Sequence, residues 1–172
     1  MTRIHSFSPI ADSNARILIL GSMPGRASLQ AHRYYAHPQN GFWRIMSQLL
    51  QLDPTATYDE RVELVKSAGI AVWDVLQSCI REGSLDSNIE RDTLVANDFR
   101  TFFQVHSKIT HVFFNGAKAE TCFRQHVLRE LEQVRLSYAR LPSTSPANAS
   151  ATYAQKLKEW RVILPPITIV DL

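Results

Sequence analysis

The sequence predicts an α/β fold, a three-layer α/β/α sandwich around a central, mostly parallel sheet of four strands. Short apolar runs rich in β-branched residues alternate with segments of helical periodicity, and this order favours parallel strands joined by right-handed crossovers. Four runs are too few for an eight-stranded barrel. Because 172 residues with 45% hydrophobic content can bury one core, we expect a single domain over residues 1–172.

The first half of the chain begins with a buried strand. Residues 16–20 form an apolar run that breaks at Gly21, as expected for a short strand bounded by turn formers. Apolar residues then repeat at i, i+3, i+4, i+7 and i+8 over residues 42–50, the pattern of one helix face. A second helix is predicted over residues 58–68, where Gly69 is a suitable stop.

The second half continues the alternation of strands and helices. The predicted elements are a strand over residues 70–75, a helix over 98–105, a strand over 109–114, a helix over 117–131 and a strand over 134–141. A polar stretch at 81–88 has loop composition. The last helix is capped by Ser150 or Thr152 and runs through Trp160. Pro165-Pro166 stops it.

The composition allows nucleic-acid binding without demanding it. The chain carries 19 Lys and Arg against 16 Asp and Glu, a formal charge of +3 with a pI near 9.0, and no block of like charge. A contact with DNA would therefore be local, through Arg26, His32, Arg33 and Arg44 around one loop. A slight arginine excess without functional meaning is an equally good interpretation.

Nothing in the sequence predicts a membrane span, a secretory signal, a metal site or a cofactor. No apolar stretch approaches the ~20 residues of a span, and residues 1–12 lack the apolar core of a signal, so we expect a cytoplasmic, nucleoid-associated protein. Cys79 and Cys122 have no metal-site spacing and are expected to be reduced core thiols. The patterns GxGxxG, GxxxxGKS/T and GxSxG are absent, which argues against dinucleotide, P-loop and α/β-hydrolase sites.

Small and polar residues stand at the carboxyl end of every predicted strand, where open parallel sheets bind ligands. These ends read Gly21-Ser22-Met23-Pro24-Gly25, Trp73-Asp74, Asn115-Gly116 and Pro142-Ser143-Thr144-Ser145-Pro146. Any one of them would serve as an ordinary strand-to-helix turn. Four together, beside the aromatic loop at residues 34–41, favour a ligand site, because long loops inside compact domains are usually functional.

Three motifs resemble those of the uracil-DNA glycosylase superfamily. They are Gly21-Ser22-Met23-Pro24-Gly25, Tyr35-Ala36-His37-Pro38-Gln39-Asn40-Gly41-Phe42-Trp43 and Leu141-Pro142-Ser143-Thr144-Ser145-Pro146. Within the superfamily the chain looks most like the hypoxanthine (deoxyinosine) DNA glycosylases, with the mismatch-specific uracil/thymine DNA glycosylases next. The resemblance spans most of the chain and implies the same α/β/α sandwich that the periodicity predicts independently.

One position departs from the superfamily's pattern. The third residue of the first motif is usually Asp or Asn, which positions the attacking water, but here it is Met23, whose thioether cannot orient water. The resemblance to the hypoxanthine branch assigns that catalytic role to Asn40. The residue pattern alone is equally consistent with Asn40 capping the helix that begins at Phe42, and both roles can hold at once.

The resemblance also implies the remaining site residues. Base contacts fall on Gly21, Ser22, Met23 and Tyr35, and Asp74 and Asn115 join them as candidates because they stand at the ends of the second and third predicted strands. DNA contacts fall on Pro24, Gly25, His37, Ser143, Thr144, Ser145, Pro146, Ala147 and Asn148. Tyr35 should stack on the extruded base. Asp74 and Asn115 should read its edge unless they hold a loop in place. The hydroxyls of residues 143–145 should meet a phosphate at the start of the last helix.

The activity implied by the resemblance is that of a monofunctional DNA glycosylase of base excision repair. Such an enzyme flips out a deaminated base, here hypoxanthine first, and hydrolyses its N-glycosidic bond. The alternatives are uracil or a G·U or G·T mismatch as substrate, or a catalytically weak module that binds damaged or single-stranded nucleic acid. The expected partner is double-stranded DNA containing a deaminated base, with single-stranded DNA second, and the expected state is a monomer that needs no metal or cofactor.

Overall fold

A computed structural model describes residues 2–164 and contains the predicted parallel sheet. The strands in this part of the chain are β1 (Arg3–His5), β2 (Ile17–Gly21), β3 (Ile70–Asp74), β4 (Leu76–Ile80), β5 (Val95–Ala96), β6 (His111–Asn115) and β7 (Ser137–Leu141). The order β3-β2-β6-β7 forms the four-stranded sheet, in which every neighbouring pair is parallel. Ile19 of β2, for example, lies opposite Val72 on one side and Phe113 on the other.

The helices follow the predicted alternation. They are α1 (Arg26–Ala31), α2 (Phe42–Leu50), α3 (Tyr58–Ser67), α4 (Phe99–Val105), α5 (Ala117–His126) and α6 (Tyr153–Trp160). Thr152, and not Ser150, caps α6 through a capping box with Gln155. The predicted stop at Pro165-Pro166 lies outside the described residues. None of the helices described within residues 2–164 is long and apolar enough to span a membrane.

Both faces of the parallel sheet are covered, which makes the fold three-layered. Successive residues of a strand point to opposite faces, and the consecutive residues Leu18, Ile19 and Leu20 are all fully buried. Phe42 of α2 and Phe123 of α5 are fully buried as well and belong to the same hydrophobic core. The α/β/α sandwich predicted from the sequence is confirmed.

Several element boundaries differ from the prediction. The helix predicted over residues 117–131 is wrong beyond His126, because Val127 leaves the helical region with φ at −123° and the chain continues as a 3-10 turn at Leu128–Leu131. The last two strands of the parallel sheet start two to three residues later than predicted, at His111 and Ser137. Apolar residues in the turns before them extend the hydrophobic run past the paired segment.

The sequence does not predict the second, antiparallel sheet, which has the order β1-β4-β5. Its strands are only two to five residues long, too short for a clear alternation pattern. The sheet affects the site because β4 starts two residues after Asp74 and leads directly into Arg81. The loop that begins there is thereby brought next to the carboxyl ends of the parallel strands.

Candidate active site

A cavity of about 290 Å³ opens at the carboxyl ends of the parallel strands. Its walls include residues 21–28 after β2, Tyr35, His37 and Asn40 before α2, residues 143–147 after β7, and Asp74 and Asn115 at the ends of β3 and β6. Every site residue predicted from the sequence lines this cavity except Asn148. The predicted residues therefore lie together in space, although they are spread over more than 100 positions of the chain.

Gly21, Asp74 and Tyr35 meet at the floor of the cavity. A Cβ added to Gly21 would lie 2.5 Å from Asp74 Oδ1 and 3.1 Å from Tyr35 Oη, so only glycine leaves room for both groups. Asp74 Oδ2 and Tyr35 Oη are buried and have no hydrogen-bond partner among the described residues. Because unpartnered buried polar atoms cost free energy, these two atoms mark the place where the polar edge of a ligand would bind.

Burial raises the pKa of the Asp74 carboxyl from 3.8 to about 7. The residue is only 3% exposed. The neighbouring Asp86 carboxylate raises this pKa further, while the Arg81 guanidinium lowers it. Near neutral pH, Asp74 therefore exchanges between a carboxylate, which only accepts hydrogen bonds, and a carboxylic acid, which also donates one.

Tyr35 has the geometry of a stacking platform. Its φ of 55° lies in the left-handed region, which aromatic residues rarely occupy. Its ring stacks on Phe42, with the ring centroids 4.0 Å apart and the planes at 23°. Because Phe42 is fully buried at the start of α2, it supports the tyrosine ring at the cavity wall. The contact of Tyr35 with an extruded base stays a prediction.

Asn40 borders the cavity just before α2. Its Oδ1 accepts a hydrogen bond from Phe42 N (3.0 Å), while Gly41 occupies the N-cap position itself. The side chain thus supports the first turn of α2, as the capping interpretation expects. Its Nδ2 has no partner among residues 2–164, and the second lone pair of Oδ1 is also available, so the same side chain can hold a water molecule.

Met23 contributes an apolar surface to the cavity. It is 6% exposed and lies in the wall formed by the first motif. Its thioether adapts to the shape of a neighbouring group but offers only a weak acceptor. Of the two positions considered for orienting a water molecule, Met23 and Asn40, only Asn40 carries a suitable group.

Asn115 holds the last motif in place. Its Nδ2 donates to Thr144 Oγ1 (2.9 Å), and its Oδ1 accepts from Thr144 N (2.9 Å). Thr144 O in turn accepts from Gly41 N (3.0 Å). These bonds join the end of β6, the last motif and the loop that carries Asn40. Asn115 therefore holds a loop in place, as the alternative interpretation expects. One hydrogen of its side-chain amide is not used by these bonds and can contact a base.

Residues 143–148 do not lie at the start of the last helix, which corrects the prediction. Helix α6 begins at Tyr153, and its own capping box satisfies its first turn. The loop is closed by bonds from Asn148 Nδ2 to Ser143 O (3.2 Å) and from Lys156 Nζ to Asn148 O (3.0 Å). Because α6 begins five residues after Asn148, any phosphate contact made by this loop would use its hydroxyls and backbone N–H groups.

The loop at residues 81–86 forms a further wall that the sequence does not predict. Buried Arg81 donates to Pro24 O and lies 3.9 Å from Asp86 Oδ1. Asp86 Oδ2 accepts from Ser22 Oγ (2.7 Å). This network ties the loop to the first motif. The only sequence signal was loop composition, because nothing local distinguishes a buried arginine from a solvated one.

The arrangement suits a flat ring with a polar edge. It combines an aromatic platform, an apolar wall, an unpartnered acceptor at Asp74, an unpartnered hydroxyl at Tyr35 and an amide placed to hold water. Within residues 2–164 no cluster of His, Cys, Asp or Glu could bind a metal ion. The side chains around the cavity can position a planar base and a water molecule.

Comparison with known proteins agrees with this geometry. The profile of the "Uracil DNA glycosylase superfamily" matches residues 8–164. Two relatives named hypoxanthine DNA glycosylase, from Methanosarcina barkeri and Methanosarcina acetivorans, are 38% and 36% identical over 114 and 115 residues, which is 66% of this chain and 71% of each relative. The solution NMR structure of a candidate uracil DNA glycosylase from Methanosarcina acetivorans superposes with a TM-score of 0.79 at 30% identity, covering 95% of this chain and 97% of that one.

Proposed function

Since the chain belongs to the uracil DNA glycosylase superfamily, and is thus a DNA glycosylase, we propose that it releases hypoxanthine from DNA containing deoxyinosine. The observation that carries this substrate assignment is Asp74, which lines the cavity and whose buried Oδ2 has no hydrogen-bond partner among the described residues. The similarity to two relatives named hypoxanthine DNA glycosylase supports it. We further propose that duplex DNA is the preferred form of substrate and that the enzyme acts as a monomer.

The size and polarity of the cavity favour a single extruded base. Its volume of about 290 Å³ is at the lower end of the range for small-molecule sites. Hypoxanthine presents an N1–H donor beside an oxo acceptor. Asp74 can accept from N1–H, while the remaining amide hydrogen of Asn115 can donate to the oxo group. Met23 provides adaptable apolar surface for the bicyclic ring.

The reaction requires a placed water molecule and a stabilised leaving base. The transition state of glycosyl hydrolysis has oxocarbenium character at the sugar, so the water needs positioning more than deprotonation, and the Asn40 amide can provide it. Donors at the cavity floor would stabilise charge on the departing base. Extruding the nucleotide costs a few kcal/mol, which stacking on Tyr35 and phosphate contacts of residues 143–148 would offset.

A single-turnover panel tests the proposal. Duplexes carrying inosine, uracil, xanthine or a G·T mismatch, and the same strands unpaired, are incubated with excess protein and then cleaved with alkali at any abasic site. We expect fastest release from inosine, weak or no release from uracil, and none from adenine, whose exocyclic amine is a donor where the site expects an acceptor. Robust uracil release without inosine release would contradict the substrate assignment. Absence of base release from every duplex would contradict the assignment as a DNA glycosylase itself.

A further inference from the structure

A second cavity, of about 710 Å³, adjoins the candidate active site and is lined by three arginines and no carboxylate. Arg33 comes from the turn after α1, Arg44 from α2 and Arg61 from α3. The loop at residues 35–40 lines both cavities, so they meet at the segment that carries the proposed catalytic amide. We call the second cavity the arginine groove.

Two of the three guanidinium groups lie on aromatic rings. The Arg33 guanidinium is 5.3 Å from the centre of the Tyr58 ring, and that of Arg44 is 3.8 Å from the centre of the Tyr153 ring. Tyr153 is fixed in turn, since its hydroxyl donates to Gln48 Oε1 (2.8 Å). Because stacking already restricts these side chains, they lose less conformational entropy when they bind an anion. This favours affinity.

The positive charge of the groove is not compensated within the part of the chain that the structure describes. None of its arginines forms an ion pair there with a carboxylate. Arg61 Nε is buried and has no hydrogen-bond partner among these residues. Arg61 lines the groove, so the other N–H groups of its guanidinium can bind an anion there. Guanidinium groups bind phosphate through paired, directional hydrogen bonds, so the groove has the chemistry of a site for several phosphates.

We propose that the arginine groove binds the phosphodiester backbone of the DNA strand that carries the target base, on one side of the extruded nucleotide. This inference rests on the proposed function. The continuity of the groove with the base cavity points to the lesion strand and not its complement. A strand in duplex DNA presents one phosphate about every 3.4 Å along the axis, so three neighbouring arginines can contact two or three consecutive phosphates.

The salt dependence of DNA binding provides the first test. The variant Arg33→Gln/Arg44→Gln is compared with Arg129→Gln/Arg135→Gln, which changes net charge equally. Arg129 and Arg135 are exposed, the first in the 3-10 turn at Leu128–Leu131 and the second two residues before β7, and neither lines the base cavity or the arginine groove. The slope of log affinity against log salt should fall by about 2 in the groove variant, because each lost phosphate contact removes about 0.9. It should stay unchanged in the control. Equal slopes for the two variants would overturn the proposal.

A phosphate-neutralisation experiment tests which strand and which side are bound. Single methylphosphonates are placed at successive positions on either strand of a duplex with a stable abasic analogue, which cannot be cleaved. On one side of the lesion in the strand that carries it, replacing a phosphate by a methylphosphonate should weaken binding of the DNA to the native protein roughly tenfold. The same replacement should have little further effect on binding to the groove variant. The inference would be overturned if a methylphosphonate weakened binding equally in the native protein and in the groove variant. It would also be overturned if only positions on the complementary strand showed a smaller loss in the groove variant. Neither readout requires base release, so a failure of the proposed activity remains distinguishable.

Discussion

A single carboxyl group, Asp74, should make the stability of the fold depend on pH. Its pKa of about 7 in the folded protein lies above the ordinary value of 3.8, so the folded state binds the proton more tightly. The stability it contributes is then complete below about pH 4 and is lost as the pH rises through about 7. At about 1.4 kcal/mol per pKa unit, the loss amounts to up to about 4 kcal/mol.

Replacing Asp74 by Asn should remove this dependence. Denaturant unfolding between pH 4 and pH 8 should show that Asp74→Asn gains stability over the native protein as the pH rises, because the amide never becomes charged. Asp92→Asn, a substitution of an exposed carboxylate, serves as the control and should follow the native curve. A constant difference between Asp74→Asn and the native protein across this range would show that Asp74 does not titrate there.

Asn40 and Met23 should respond very differently to truncation. Asn40→Ala should lower single-turnover base release by roughly 10², the effect of losing a positioned electrostatic group, with little change in DNA binding. Met23→Ala should cost far less, because only packing is lost. Since Asn40 also supports α2, rates are measured well below the melting temperature, with Gln39→Ala as a neighbouring control. Unchanged release by Asn40→Ala would remove Asn40 from catalysis, and equal damage from both substitutions would indicate a structural role for the loop.

At the level of elements, the site depends on how strand ends hold loops. Asn115→Ala removes both hydrogen bonds to Thr144, which is 2% exposed. Stability should fall by about 1 to 3 kcal/mol, since a buried backbone N–H loses its partner. Base release should fall at least tenfold, because Thr144 also bonds Gly41 beside Asn40 and small displacements of reacting groups are costly. Asn115→Asp keeps the acceptor for Thr144 N, so it should lose less stability and less base-release activity. Native stability and rate in Asn115→Ala would contradict this linkage.

Across the whole molecule, the positions of the lysines predict hydrolysis without strand cleavage. A lyase step needs an amine placed to form a Schiff base, and none of Lys66, Lys108, Lys118, Lys156 and Lys158 lines the cavity of the candidate active site. Lys156 contacts the loop at residues 143–148, where its Nζ donates to Asn148 O. Nicking should therefore require alkali, and borohydride should trap no covalent protein–DNA adduct. Recovery of such an adduct would contradict this assignment.

The sequence alone determined the elements that depend on local patterns. Helical periodicity located α2, the glycine stop ended α3 where Gly69 has φ at +76°, and apolar runs located the four strands of the parallel sheet. The order of these elements led to the sandwich, since parallel crossovers leave few alternatives. The ends of parallel strands share one edge of a sheet, so the sequence also indicated which residues meet there.

Only the tertiary structure decided how these residues are partnered. Asn115 and Thr144 are 29 positions apart, and the buried Arg81 reaches back to Pro24. The arginine groove draws its three cations from the turn after α1, from α2 and from α3. The displacement of residues 143–148 from the start of α6 likewise became visible only in three dimensions. The physical reason is that periodicity and capping are properties of neighbouring residues, whereas burial, pKa and hydrogen-bond pairing depend on groups brought together by the packed chain.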